Sequence, residues 1–226
     1  MKQLNNGMLL LALLMLSFLT PPKKRTVLFF GDSITQMGIK SNGYITKMDS
    51  IIKHSNYPDS IQLIGAGVSG NKIYDLYLRI ENDVLAKNPD VVIIYIGIND
   101  VWHKSTSGTG TDADKFEKFY RAIIKKLQEK QIKVILCTPT TIGERNDYSN
   151  EQDGDLNKYS NIIRGIAKDL NLPLCDLRRA FTEYLKTNNP ANLERGILTV
   201  DRVHLNDNGN LKVANEMWQV IKTVIK

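Results

Sequence analysis

The chain has 226 residues, 42% of them hydrophobic, and Lys plus Arg exceed Asp plus Glu by 30 to 24. That composition excludes a wholly disordered chain and suits one domain with a sizeable core. The surplus of +6 is scattered along the sequence, so it reads as a solvated basic surface and no nucleic-acid partner is expected.

Residues 1–22 stand apart. Lys2 precedes an apolar run from Met8 to Leu19, too short for an ordinary membrane span. The pair reads as a secretory signal peptide, although Ser17-Phe18-Leu19-Thr20 lacks a clean small-x-small cleavage pattern. An uncleaved N-terminal anchor, with membrane association, is the alternative. An exported protein, periplasmic or secreted, is therefore expected, with a single domain over 23–226. The two cysteines, Cys137 and Cys175, sit in apolar strand-like runs and read as buried free thiols.

Thr26-Val27-Leu28-Phe29-Phe30 predicts a first buried strand, ended by Gly31. Tyr44, Ile45, Met48, Ile51 and Ile52 have helical spacing, and Tyr57-Pro58-Asp59 breaks it. Ile61 to Gly65 predicts a second strand, and a helix follows from about Ile73 to Ala86. Val91 to Ile96 is the clearest strand; its unbroken apolar run predicts cover on both faces. Thr106 to Thr111 reads as a loop, and the next helix carries Phe116, Phe119, Ile123, Ile124 and Leu127 on one face. Ile132 to Cys137 is a fourth strand. A polar stretch from Gly143 to Asp155, a helix through Leu170, a short fifth strand at Leu172–Cys175 and a short helix at Phe181–Leu185 follow. A last helix from near Asn208 is expected to bury Leu211, Val213 or Ala214, Met217, Val220 and Ile221.

This alternation predicts a three-layer α/β/α sandwich on a five-stranded parallel sheet. The order 2-1-3-4-5 is preferred, because it sets the turns after strands two and three on either side of Ser33. The other common doubly wound order stays open.

Four polar stretches then fall at one sheet edge. Gly31-Asp32-Ser33-Ile34-Thr35 places a hydroxyl where the first strand ends, and a serine needs a base to become a nucleophile. Gly65-Ala66-Gly67-Val68-Ser69-Gly70 spells G-x-G-x-x-G, but not after the first strand and without a suitably placed acid. A nucleotide site is thus a minor alternative to a tight turn with an exposed backbone N–H. Gly97-Ile98-Asn99-Asp100 offers an amide donor, or merely a capped turn. Asp201 and His204, three apart, can face each other so that the carboxylate orients the imidazole. No pair among the three histidines has metal-ligand spacing, so no metal is expected, and no cofactor.

With these residues in this order, the sequence resembles the SGNH or GDSL hydrolases from about Thr26 to the end. The matching blocks are Gly31-Asp32-Ser33-Ile34, Gly70, Gly97-Ile98-Asn99-Asp100 and Asp201-Arg202-Val203-His204. The family's usual leucine is Ile34 here, and Gly65 stands where asparagine is frequent. The resemblance implies a flavodoxin-like fold. It implies Ser33 as nucleophile, His204 as base and then acid, Asp201 as its orienter, and an oxyanion hole from Ser33, Gly70 and Asn99.

The implied activity is ester hydrolysis through an acyl-enzyme. Polar loops at the catalytic edge and the apparent export favour a carbohydrate O-acetyl ester; lipid or lysophospholipid acyl esters are the alternative. Asp32, Trp102, His103 and Thr140 are the expected substrate-binding residues, with Trp102 able to stack on a sugar or simply to pack.

Overall fold

The computed structural model describes residues 24–57 and 60–225; the expected leader and the Pro58-Asp59 break lie outside them. Five strands form one parallel sheet in the order β2-β1-β3-β4-β5. They are β1 (Arg25–Gly31), β2 (Ile61–Gly67), β3 (Val91–Tyr95), β4 (Lys133–Cys137) and β5 (Leu174–Cys175). Between and after them run α1 (Ser33–Gly38), α2 (Tyr44–Lys53), α3 (Ile73–Asp83), α4 (Ile98–Ser107), α5 (Ala113–Glu129), α6 (Asp153–Asp169), α7 (Leu177–Asn188) and α8 (Asp207–Val224).

The central strands explain the layering. Val27 to Phe30 and Val91 to Ile94 are fully or almost fully buried, so both faces of β1 and β3 are covered. One cover consists of α2 and α7 with α8, the other of α3, α5 and α6. β1 pairs with β2 on one side and β3 on the other, Val27 opposite Leu63 and Val91. The ends of all three strands therefore meet at one edge, where an open α/β sheet holds its ligand.

Four departures from the expected elements bear on the site. Ser33 opens a helix rather than a turn: Asp32 caps α1, its Oδ1 accepting from Ile34 N at 3.0 Å. Asn99, Trp102 and His103 lie on α4, not in a loop. Gly97, at φ +128°, and Gly108, at +66°, bound that helix. Its Ser- and Thr-rich second half has low helix propensity, which hid it. β2 runs on through Gly67, so Gly65 and Gly67 are strand residues that give α1 room. A Cβ on Gly67 would meet Gln36 N at 2.1 Å, and one on Gly65 would meet Ile39 Cγ2 at 2.4 Å. That packing need accounts for two glycines of G-x-G-x-x-G. Finally, Leu211 is 46% exposed, while α8 buries Val213, Ala214, Met217, Trp218 and Ile221.

Candidate active site

Ser33 sits at the first position of α1, 8% exposed, held by the Asp32 cap at the buried end of β1. His204 arrives from the other end of the chain. Its Nε2 lies 3.0 Å from Ser33 Oγ, and its Nδ1 lies 2.7 Å from Asp201 Oδ2. A carboxylate only accepts, so Nδ1 carries the proton and Nε2 is left to accept the serine hydroxyl. Asp201 Oδ1 accepts from the backbone N–H of Val203 at 3.1 Å and of His204 at 2.8 Å. Burial would raise the Asp201 carboxyl, but the His204 ring and these N–H groups outweigh it and hold it below its ordinary value.

The expected donors lie at the same edge of the sheet. Helix first-turn N–H groups have no partner within the helix, which leaves the Ser33 N–H at the positive end of α1. Gly70 has φ +78°, a left-handed conformation that glycine adopts without strain. Asn99 is buried in the first turn of α4, and its Nδ2 donates to Asn71 O at 3.1 Å, directly behind the Gly70 turn. Three sequence-expected donors thus come from the ends of β1, β2 and β3.

The expected pocket residues divide. The Trp102 ring meets His103 at 5.5 Å between centroids and His204 edge-on at 6.3 Å, beside the Ser33–His204 pair. His103 reaches over the Gly70 turn, its Cε1 4.0 Å from where a Gly70 Cβ would stand. Burial and the Lys72 charge lower its pKa. Asp32 and Thr140, also expected to bind substrate, are both buried and bonded to the protein. Asp32 is 2% exposed and spent on the helix cap. Thr140 is fully buried, its hydroxyl 3.2 Å from Tyr95 OH and its carbonyl accepting from Arg178 at 3.1 Å.

Sequence reading missed Arg79. From α3 its Nη2 donates to Gly31 O at 2.7 Å and Ala66 O at 3.1 Å, and its Nε to Asn71 Oδ1 at 2.7 Å. One guanidinium therefore ties the ends of β1 and β2 to the residue that holds Asn99. An arginine between Leu76 and Ile80 reads as solvated in a helical pattern; only its burial shows its use.

Among the described residues, no group of three or more His, Cys, Asp or Glu could hold a metal ion.

Comparison with known proteins identifies the family. The model of the GDSL-like Lipase/Acylhydrolase family matches residues 29–212. An acetylxylan esterase of Geobacillus stearothermophilus is 32% identical over 214 residues, covering 86% of this chain and 93% of the relative. A lipoprotein of Bacillus subtilis, YqeF, is 26% identical over 168 residues, 66% and 69% of the two chains. Among solved structures, the acetyl xylan esterase AlAXEase superposes with TM-score 0.85 at 63% identity, over 87% of this chain and 99% of that one. Axe2, an acetylxylan esterase from Geobacillus stearothermophilus, gives TM-score 0.78 at 28% identity, over 88% and 95%. Structures of Axe2 also exist as catalytic mutants with alanine for a serine, an aspartate or a histidine. The fold and its relatives define a carboxylic ester hydrolase. The chain belongs to the GDSL-like lipase/acylhydrolase family.

Proposed function

We propose that this protein removes acetyl groups from carbohydrate, acetylated xylan or its oligosaccharides first, through an acyl-enzyme on Ser33. The observation that carries the mechanism is the unbroken relay from Ser33 Oγ to His204 Nε2 at 3.0 Å and from His204 Nδ1 to Asp201 at 2.7 Å. As Ser33 Oγ bonds to the ester carbonyl carbon, its proton passes to Nε2. The carbonyl oxygen becomes an oxyanion facing the N–H groups of Ser33 and Gly70 and the Asn99 amide. His204 gives the proton to the departing sugar oxygen as the C–O bond breaks, releasing it as a hydroxyl. Water then attacks the acetyl-serine, giving its proton to Nε2; acetate leaves and Ser33 regains its proton.

The acetyl choice rests on the acetylxylan esterase relatives at 32% and 63% identity. Trp102 and His103 at the mouth are suited to lie against a sugar. The catalytic mutants of Axe2 support the roles of Ser33, Asp201 and His204, since its altered aspartate and histidine are also three apart. Export is supported by the apolar N-terminal run and the lipoprotein relative.

The test is hydrolysis of p-nitrophenyl esters from acetate to dodecanoate and release of acetate from acetylated xylooligosaccharides. Short esters should turn over, and Ser33→Ala should lower kcat by on the order of 10⁴. A preference for long chains moves the substrate to lipids; near-native turnover in Ser33→Ala ends the serine mechanism.

A further inference from the structure

Glu144 has no role in the chemistry above, yet its side chain is completely buried, and among the described residues no basic side chain is ion-paired to it. Its carboxylate is enclosed by the segment that leads into the Asp201–His204 pair. Oε2 accepts from Ile197 N at 2.7 Å; Oε1 accepts from Leu198 N at 2.7 Å, Thr199 N at 2.5 Å and Thr199 Oγ1 at 2.7 Å. Three consecutive N–H groups turned on one carboxylate form a nest, a concavity of backbone donors suited to an anion.

The nest sits at the root of a small hairpin. Thr199 and Leu205 form an antiparallel bridge, Val200 N donates to His204 O at 2.8 Å, and Asn206 N donates to Leu198 O at 3.0 Å. Asp201 to His204 are the tip. Within it Arg202 has φ +86°, a strained conformation for a residue with a Cβ, and Gly143 N donates to Arg202 O at 2.9 Å. The neighbours Gly143 and Glu144 therefore hold both the root and the tip. They are themselves fixed. Asn189 Nδ2 donates to Glu144 O at 2.8 Å, Glu144 N donates to Glu194 O at 2.9 Å, and Asn150 packs where a Gly143 Cβ would collide at 2.3 Å.

We infer that Glu144 is a positioning residue for the Asp201–His204 pair, its buried carboxylate fixing the hairpin that presents His204 Nε2 to Ser33. The inference rests on the serine mechanism above for its kinetic readout and on the resting geometry for its spectroscopic one.

The experiment compares Glu144→Gln with wild type, with rates expressed per folded molecule from a denaturation curve. An amide in place of the carboxylate turns a donor towards one of the three N–H groups and displaces the hairpin. Misplacement of a reacting group by about 1 Å can cost ~10²-fold, so kcat should fall about 10- to 100-fold while KM stays within about twofold. Because Glu144→Gln risks misfolding, Thr199→Val serves beside it: it removes one donor to Oε1 and should lower kcat about 3- to 10-fold at unchanged KM. The proton NMR line of His204 Nδ1–H, downfield in wild type and absent from Asp201→Ala, should be lost or broadened in Glu144→Gln. Loss of stability alone, with kcat per folded molecule within about twofold of wild type and the line intact, overturns the inference. The line is read on resting protein, so Glu144 is tested even if Ser33→Ala keeps its turnover, a result that overturns only the serine mechanism.

Discussion

Asn99 and Asp32 lie within a few residues of the nucleophile's surroundings, and burial makes them do different work. Asn99 spends one amide hydrogen on Asn71 O at 3.1 Å, which fixes the rotamer and leaves the other hydrogen for the proposed oxyanion hole. Asn99→Ala should lower kcat by about 10²- to 10³-fold with little change in KM, the cost of losing one preorganised donor. An unchanged kcat removes Asn99 from the hole. Asp32 is raised by burial from its ordinary 3.8 to about 7; the Ile34 N–H offsets this in part and the charge of Asp100 adds to it. Between about pH 4 and 7 the folded protein then holds a proton that the unfolded chain has lost. Folding stability from this site is complete below about pH 4 and falls as the pH rises through 7, by at most ~1.4 kcal/mol per pH unit. Asparagine caps a helix as well as aspartate and does not titrate. Asp32→Asn should therefore match wild type near pH 4 and be more stable at pH 8, as urea melts at the two values will show. Asp100, also raised to about 7 by burial, leaves part of the slope in place.

The catalytic edge is built by helix α3 as much as by the strands. Arg79 bonds the carbonyls of Gly31 and Ala66, the Asn71 side chain and, at 2.7 Å, Asp83 one turn on, with its guanidinium 4.5 Å over the Phe30 ring. Arg79→Ala removes a charged donor from each of these part-buried acceptors, although Gly31 O still accepts from Val68 N at 3.2 Å; such bonds are worth about 1.5–3 kcal/mol each where they stay dry. A loss of about 2–4 kcal/mol in urea unfolding is expected, recovered only partly by Arg79→Lys, because an ammonium cannot span the fork. Lysine restoring full stability would reduce Arg79 to a simple charge. This contrast marks what the sequence made legible. Apolar runs such as Val91 to Ile94 disclosed the strands, because burial on both faces leaves a pattern. Ser33 and Asn99 could be singled out as candidates because they follow strand ends, and Asp201 and His204 because a carboxylate three residues before a histidine can orient its ring. Arg79 and Glu144 were not, since a charged side chain satisfied by distant backbone leaves no periodic trace. Helix α4 was hidden because its second half is rich in Ser and Thr, and the glycines at its two ends read equally well as loop.

At the scale of the whole molecule, the site is a long-range object. Ser33 and His204 are 171 residues apart in sequence, and the path between them crosses every strand after the first. Opening any part of the sheet should therefore remove activity. The two thiols report on that independently. Cys137 and Cys175 are free, buried and opposite each other in the β4–β5 register, and burial pushes the Cys137 thiol well up, so it stays protonated and unreactive. β5 has only two residues and lies at the sheet's end, which makes Cys175 the place where a separate opening would first appear. Since Cys137 and Cys175 both belong to one continuous buried core, we expect no such separate step. In native buffer neither thiol should react with an aromatic disulfide reagent. On titration with urea, thiol exposure and loss of esterase activity should share one midpoint, as for a single cooperative unit. Reaction of one thiol per chain at urea concentrations that leave activity intact would show that the β5 edge opens on its own, and that the catalytic edge is held by β1 to β4 alone.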